Sequence, residues 1–163
     1  MTDTTIFWKQ FKTKACSASL AGNTKEEVLR EVVDNMVAAG VLDAQHSAGA
    51  YAALLEREKT VSTGVGQNVA IPHVKLAGLD KTAASLSVHT AGLEWGAVDF
   101  DVVHVVFTVI RPDRPGDKHD PEQHLEMMRW IARLARTADF RSFALQAKTR
   151  TDLTELLKEM ASV

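Results

Sequence analysis

Several things are scarce in this chain of 163 residues, and each scarcity excludes something. It has one cysteine, Cys16, so no disulfide can close within it; the core must be held by packing, and a lone thiol suits a reducing compartment. The longest nearly unbroken apolar run, Val102 to Ile110, has His104 inside it and falls far short of the ~20 residues that span a bilayer. Membrane insertion is therefore not expected. The stretch Met1 to Phe11 lacks the basic, apolar and small-residue order of a secretory leader, which makes the cytoplasm the expected location. Nine glycines and four prolines are fewer than usual, and no repeat or low-complexity tract is present. Neither sign of charge dominates, since 19 Lys and Arg face 21 Asp and Glu for a formal charge of −2, which leaves no basic footprint for nucleic acid.

What remains fits a single domain over residues 1–163, long enough to bury roughly 70% of the surface its unfolded chain exposes. Six histidines are the titratable reserve of a nearly neutral chain.

Local patterns predict the elements. Lys14 to Ala21 is short and mostly uncharged and reads as a first strand. Thr24 and Glu27 have the spacing of a capping box ahead of Val28, Leu29, Val32, Val33, Met36 and Val37, a helical stripe that Gly40 stops. Ser47 can cap a second helix with Tyr51, Leu54 and Leu55 inward. Thr60 to His73 is small and polar, a loop leading to a short extended piece. Thr82 to Thr90 alternates, and Val102 to Ile110 is nearly all β-branched, as in a strand covered on both faces. Arg111 to Gln123 is a breaker-rich polar loop ending at the helix start Asp120-Pro121. Behind it Leu125, Met128, Ile131, Ala132 and Ala135 form a stripe. Phe140, Phe143 and Ala144 mark a short helix. Leu153, Leu156, Leu157 and Met160, behind an Asp152 to Glu155 box, make a terminal one. Helices around few strands predict an α/β domain, a layered sandwich with a small mixed β-sheet flanked by helices.

The segment Ser62 to His73 (STGVGQNVAIPH) carries the chemistry. Gly64 and Gly66 free the backbone to gather amide N–H groups, a geometry that attracts anions. No Gly-Lys-Ser/Thr follows, so this is not a P-loop, and G-x-G-x-x-G is broken at Val69. Pro72 fixes its own φ, pushes Ile71 extended and so presents His73 on a stiff stem, as an imidazole nucleophile aimed at phosphorus would need. The same residues could equally be a Gly-rich turn before a structural histidine.

The run Leu55-Glu56-Arg57-Glu58, then Ser62-Thr63-Gly64-Val65-Gly66, then Ala70-Ile71-Pro72-His73, resembles the IIA domain of the bacterial phosphoenolpyruvate-dependent phosphotransferase system, fructose/mannitol type (PTS EIIA type-2), a group that includes nitrogen-regulatory IIA proteins. The likeness covers about residues 14–162 and implies that family's three-layer α/β fold. It implies a phosphocarrier in which His73 takes a phosphoryl group from phosphorylated HPr, or its nitrogen-branch counterpart, and passes it to a IIB cysteine or holds it as a regulatory signal. By the same resemblance Arg57 and His124 line the site. Arg57 can offer several donors to phosphate oxygens, and His124, in the first turn of its helix, sits where the dipole disfavours an imidazolium. Thr63, Gly64 and Gly66 are the expected phosphate-binding loop, although loop capping explains Thr63 as well, and the scheme requires no metal or cofactor. Val74 stands where the family often has Gly; a β-branched residue resists positive φ, so either the backbone there is ordinary or the site is slightly reshaped. Gln67-Asn68 likewise replaces a pair that often includes Gly. No IIB or HPr module is read in the chain, which tilts the expectation toward a regulatory partner rather than a sugar permease.

The other candidates have simpler readings. His119 and His124 with Asp117 and Asp120 have metal-ligand chemistry, but a polar loop of this composition is ordinarily solvated. His104 reads as a satisfied core residue, His46 as a turn residue, and Cys16 as a buried thiol; His89 is undecided. Lys75 faces the same side as His73 only if strand alternation holds.

Overall fold

The computed structural model describes residues 3–163. Helix α1 (Lys25–Ala38) starts as its sequence requires: Thr24 is extended and its hydroxyl accepts the Glu27 N–H at 3.1 Å. The Glu27 carboxylate reaches back to the Asn23 N–H at 2.8 Å, one residue before the position a reciprocal box would use. Val28, Leu29, Val32, Val33 and Met36 are buried along its inner face, and Gly40, at φ +76°, turns the chain away. Helix α2 (Ser47–Thr60) is entered through a 3₁₀ turn, Ala44–His46. The backbone is already helical at His46, so Ser47 is the first residue of α2 and not its cap, and no side chain caps that end.

Five strands follow: β1 (Gly64–Gly66), β2 (Val69–Ala70), β3 (His73–Leu76), β4 (Ala83–Leu93) and β5 (Val103–Pro112). β5 is central. Along one edge it pairs in parallel first with β2, residues 69–70 against 105–106, and then with β3, His73 against Val109 through Leu76 against Pro112. β4 takes its other edge in antiparallel register, and β1 folds back antiparallel on β2. β5 alternates between two cores. Val105, Phe107 and Val109 face α3 (Pro121–Arg136), α4 (Ala138–Gln146) and α5 (Arg150–Glu159) through Trp130, Ile131, Leu134, Phe140 and Leu157. Val106 and Ile110 face α1 and α2 through Val32, Val33, Met36 and Leu54. The result is the three-layer α/β sandwich with a small mixed sheet. Among the described residues no helix is long and apolar enough to cross a membrane.

Five local expectations are corrected. Lys14 to Ala21 is not a strand: a 3₁₀ turn, Thr13–Ala15, precedes a single parallel bridge of Ser17 to Ser87. Its small residues lie along the β4 edge, where Ser17 and Leu20 donate to the Leu86 and Val88 carbonyls, but the turn keeps the ladder from propagating. Thr60 to His73 is not all loop, because β1 and β2 form a hairpin whose two-residue tip, Gln67 (φ +57°) and Asn68 (φ +68°), has the backbone of a type I′ turn. Two non-glycine residues adopt that conformation because Asp99 Oδ2 accepts the Gln67 N–H at 3.0 Å and Asn68 Nδ2 donates to the Val102 carbonyl at 2.8 Å. The polar loop after β5 starts later than Arg111, which belongs to the strand, and ends at Asp120, whose carboxylate caps α3. Leu125 is half exposed; the buried stripe of α3 is Met127, Trp130, Ile131, Leu134 and Ala135. The last helix is boxed by Thr149 and Asp152, not by Asp152 and Glu155, since Thr149 is the extended residue whose hydroxyl can meet the first turn.

Candidate functional site

β2 and β3 are one extended line interrupted at Ile71-Pro72. Pro72 has no N–H to give a ladder, while its carbonyl accepts the Val109 N–H at 2.9 Å, and the Ile71 N–H turns to the Thr63 carbonyl at 2.9 Å. β1 pairs with β2 alone, so among the described residues no strand covers the outer edge of β3, and His73 opens that strand and is exposed. The ring is nevertheless fixed, since Nδ1 lies 2.7 Å from the Ile71 carbonyl oxygen. A carbonyl only accepts, so the hydrogen bond assigns the proton to Nδ1 and leaves Nε2 with an unshared lone pair. Val74 follows with ordinary extended backbone, which settles the question raised by a β-branched residue after the histidine.

A cavity of about 470 Å³ lies beside this ring. Its walls are Ala53, Glu56, Arg57 and Thr60 from α2, Val74 and Lys75 from β3, Arg111 from β5 and His124 from α3. The structure thus brings together His73, Arg57 and His124. Strand alternation does hold, and Lys75 shares the face of His73. Arg57 Nη1 donates to the Val61 carbonyl just past the end of α2. Among the described residues no carboxylate forms an ion pair with Arg57, Lys75 or Arg111, and Glu56, the acidic residue of the wall, pairs with Lys59 at 3.7 Å. Three cations without acidic partners make this wall attractive to a multivalent anion.

His124 enters from the first turn of α3, its N–H bonded to the Asp120 carbonyl at 3.0 Å. Its Nδ1 is buried with no hydrogen-bond partner among the described residues, so the proton of the neutral ring belongs on Nε2, where it can be donated. Burial pushes its pKa down to about 4, and the nearby charges of Arg111, His119 and His73 add to the shift. His124 is therefore a neutral donor at ordinary pH. His119 packs edge-on against it with ring centroids 5.8 Å apart and is itself buried, unlike the rest of its polar loop. Burial lowers its pKa as well, followed by the charge of Arg111.

The structure does not bring Thr63, Gly64 and Gly66 into this cavity. Thr63 is buried, with its hydroxyl donating to Glu58 and accepting the Trp95 indole N–H at 3.2 Å. Glu58 also accepts the Thr63 N–H and an ion pair from Lys25 at 3.0 Å. Gly64 lies against Ala97, where an added Cβ would stand 2.7 Å from the Ala97 Cβ and 2.9 Å from its Cα. Beside Gly66, the Asp99 carboxylate already accepts the Gln67 amide, so the anion that this glycine-rich turn attracts is one of the chain's own. Cys16 is buried, and burial raises its thiol to about 11. His89 Nε2 lies 2.8 Å from the Gly22 carbonyl and His104 Nδ1 2.9 Å from the His89 carbonyl, as structural residues.

Sequence reasoning overlooked Arg111, which it placed at the head of a loop. The only signal in the chain is its period-two spacing from Val109; the register that sets Val109 beside His73 and Arg111 beside Lys75 exists only once β3 and β5 pair.

Comparison with known proteins bears on the family and the fold. Residues 9–160 match the family model described as phosphoenolpyruvate-dependent sugar phosphotransferase system, EIIA 2. A nitrogen regulatory protein of Pseudomonas aeruginosa is 30% identical over 144 residues, covering 87% of this chain and 88% of that one. The fructose-specific EIIA component of a phosphotransferase system in Haloferax volcanii is 29% identical over 137 residues, covering 84% of each. The crystal structure of the nitrogen regulatory protein IIA-Ntr from Neisseria meningitidis superposes with a TM-score of 0.77 over 93% of this chain and 99% of that one; at 21% identity it speaks for the fold alone. The chain belongs to the EIIA 2 family of the phosphoenolpyruvate-dependent sugar phosphotransferase system.

Proposed function

We propose that the chain works in the cytoplasm as one EIIA unit that carries a phosphoryl group on Nε2 of His73. The observation that carries this reading is the hydrogen bond from His73 Nδ1 to the Ile71 carbonyl, which leaves Nε2 bare beside three cations without acidic partners. The donor is the phosphohistidine of HPr or of its nitrogen-branch counterpart. The Nε2 lone pair forms a bond to phosphorus while the donor's P–N bond breaks and returns its electron pair to the donor ring. The Nδ1 proton stays in place. As the His73 ring gains positive character its bond to the Ile71 carbonyl strengthens, which stabilises the phosphorylated form.

Arg57 donates to phosphoryl oxygens whose charge persists through transfer, and neutral His124 donates from Nε2 without competing for the phosphoryl group as a second nucleophile. Thr63, Gly64 and Gly66 contribute through the hairpin they shape. The acceptor is a IIB cysteine, or the phosphohistidine persists as a charge that changes partner binding. Relatives named for fructose and for nitrogen regulation both match along most of their length, and the second naming favours the regulatory use.

Phosphoenolpyruvate, Enzyme I and HPr should place an acid-labile phosphate on the wild-type protein and none on His73→Ala. Equal labelling of the two proteins would remove His73 from the reaction.

A further inference from the structure

Arg111 is the basic residue of the site that no sequence motif singles out, and its position is set by backbone register. β3 and β5 run in parallel with His73 opposite Val109 and Lys75 opposite Arg111. Registered partners in a parallel pair share a face, so the pleat carries His73, Lys75 and Arg111 on one side of the sheet, the side from which α3 delivers His124. Arg57 closes the same cavity from α2. The two guanidiniums thus enter from different elements, Arg57 from a helix end and Arg111 from a strand end.

The free state of Arg111 also points to a ligand. Its Nη1 makes one hydrogen bond, 3.0 Å to the carbonyl of the neighbouring Pro112. No other side-chain hydrogen bond and no carboxylate ion pair is formed by it among the described residues. A half-buried guanidinium with five N–H donors and one satisfied is poised for an oxyanion. Its charge also reaches His124, where it helps hold the imidazole neutral.

We propose that Arg111 is a second phosphoryl-binding guanidinium, which grips the phosphoryl group on His73 from the side opposite Arg57. This rests on the phosphocarrier reading of His73. Two forks on one phosphoryl group can engage separate oxygens, whereas one arginine and a neutral histidine leave an oxygen to solvent. The fold thereby spreads one binding task over α2, β5 and α3.

The test uses Arg111→Gln, which keeps the bulk of the stem without charge, and Arg111→Lys, which keeps the charge without the fork, each shown to be folded by circular dichroism. Two readouts are taken. The first is the rate of phosphoryl transfer from phosphorylated HPr, where Arg111→Gln should be about tenfold slower or more and Arg111→Lys intermediate. The second is the shift of the His73 and His124 ring signals on titration with inorganic phosphate, which should weaken in Arg111→Gln. In that variant the titration midpoint of His124 should also move up, because a neighbouring cation is gone, a change that a purely structural role would not produce. Transfer within twofold of wild type together with an unchanged phosphate response would overturn the assignment. If the wild-type protein takes no label, the phosphocarrier reading fails and the phosphate titration alone decides Arg111: weakening in Arg111→Gln upholds it as an oxyanion ligand, and no change removes it.

Discussion

His73 Nδ1 and the Ile71 carbonyl oxygen are 2.7 Å apart, so a backbone group two residues upstream chooses the tautomer of the ring that the cavity presents. Pro72 between them makes this possible. It holds Ile71 extended and gives no N–H to the sheet, and the carbonyl that would otherwise continue a ladder is free to meet the imidazole.

The first prediction concerns that tautomer. Nitrogen-15 NMR of the free protein at pH 8 should show Nδ1 of His73 protonated and Nε2 bare, and phosphorylation should perturb Nε2. Pro72→Ala should loosen the ring and slow transfer several-fold while leaving the acceptor nitrogen unchanged. A protonated Nε2 in the free protein would refute the proposed attack.

His124 should titrate near pH 4, far below an ordinary histidine at about 6.5. Its folded pKa lies below the unfolded one, so the unfolded chain binds more protons between those values and stability rises with pH across that window. Read downward, stability is lost as the pH falls from about 6.5 toward 4. His124→Gln should flatten that stretch of a urea-denaturation profile, and an unchanged slope would show that His124 is not the residue responsible. In transfer, His124→Ala should be slowed by ~10²-fold yet still label on His73.

Arg57→Ala should slow transfer by ~10²-fold, because a charged donor to the phosphoryl oxygens is lost. The fold should survive, at a cost of about 1 kcal/mol for the bond to the Val61 carbonyl. Arg57→Lys should fall between the two. Transfer kinetics for Arg57→Ala indistinguishable from wild type would take the residue out of the mechanism.

Thr63→Val separates a loop-shaping role from a phosphate-binding one. The hydroxyl lost is bonded to Glu58 and Trp95, so stability should fall by about 1–3 kcal/mol with a change in Trp95 fluorescence. The extent of phosphorylation at saturating donor should stay at the wild-type level. A stable Thr63→Val protein that cannot retain phosphate would show instead that the hydroxyl reaches the phosphoryl group.

Much of this protein is set by local sequence. Thr24 and Asp120 start their helices as their side-chain chemistry dictates, the β-branched run before Arg111 becomes the central strand, and Ile71-Pro72 carries His73 on an extended stem. These features were legible because each depends on neighbours a few residues away. The errors have a different origin. Lys14 to Ala21 has strand-like residues, yet its place along β4 and the turn before it decide its backbone. Thr60 to His73 reads as a loop until Asp99 and Val102, more than thirty residues beyond Gln67-Asn68, supply the partners that hold its hairpin tip.

Sequence alone determined the family, the starts of α1 and α3 and the stiff Ile-Pro stem that carries His73. Tertiary structure decided which charges share its cavity, because Arg57, Lys75, Arg111 and His124 come from four elements whose convergence depends on parallel register and layer packing. Local chemistry can prepare a nucleophile, but only long-range pairing can surround it with the donors that stabilise a moving dianion.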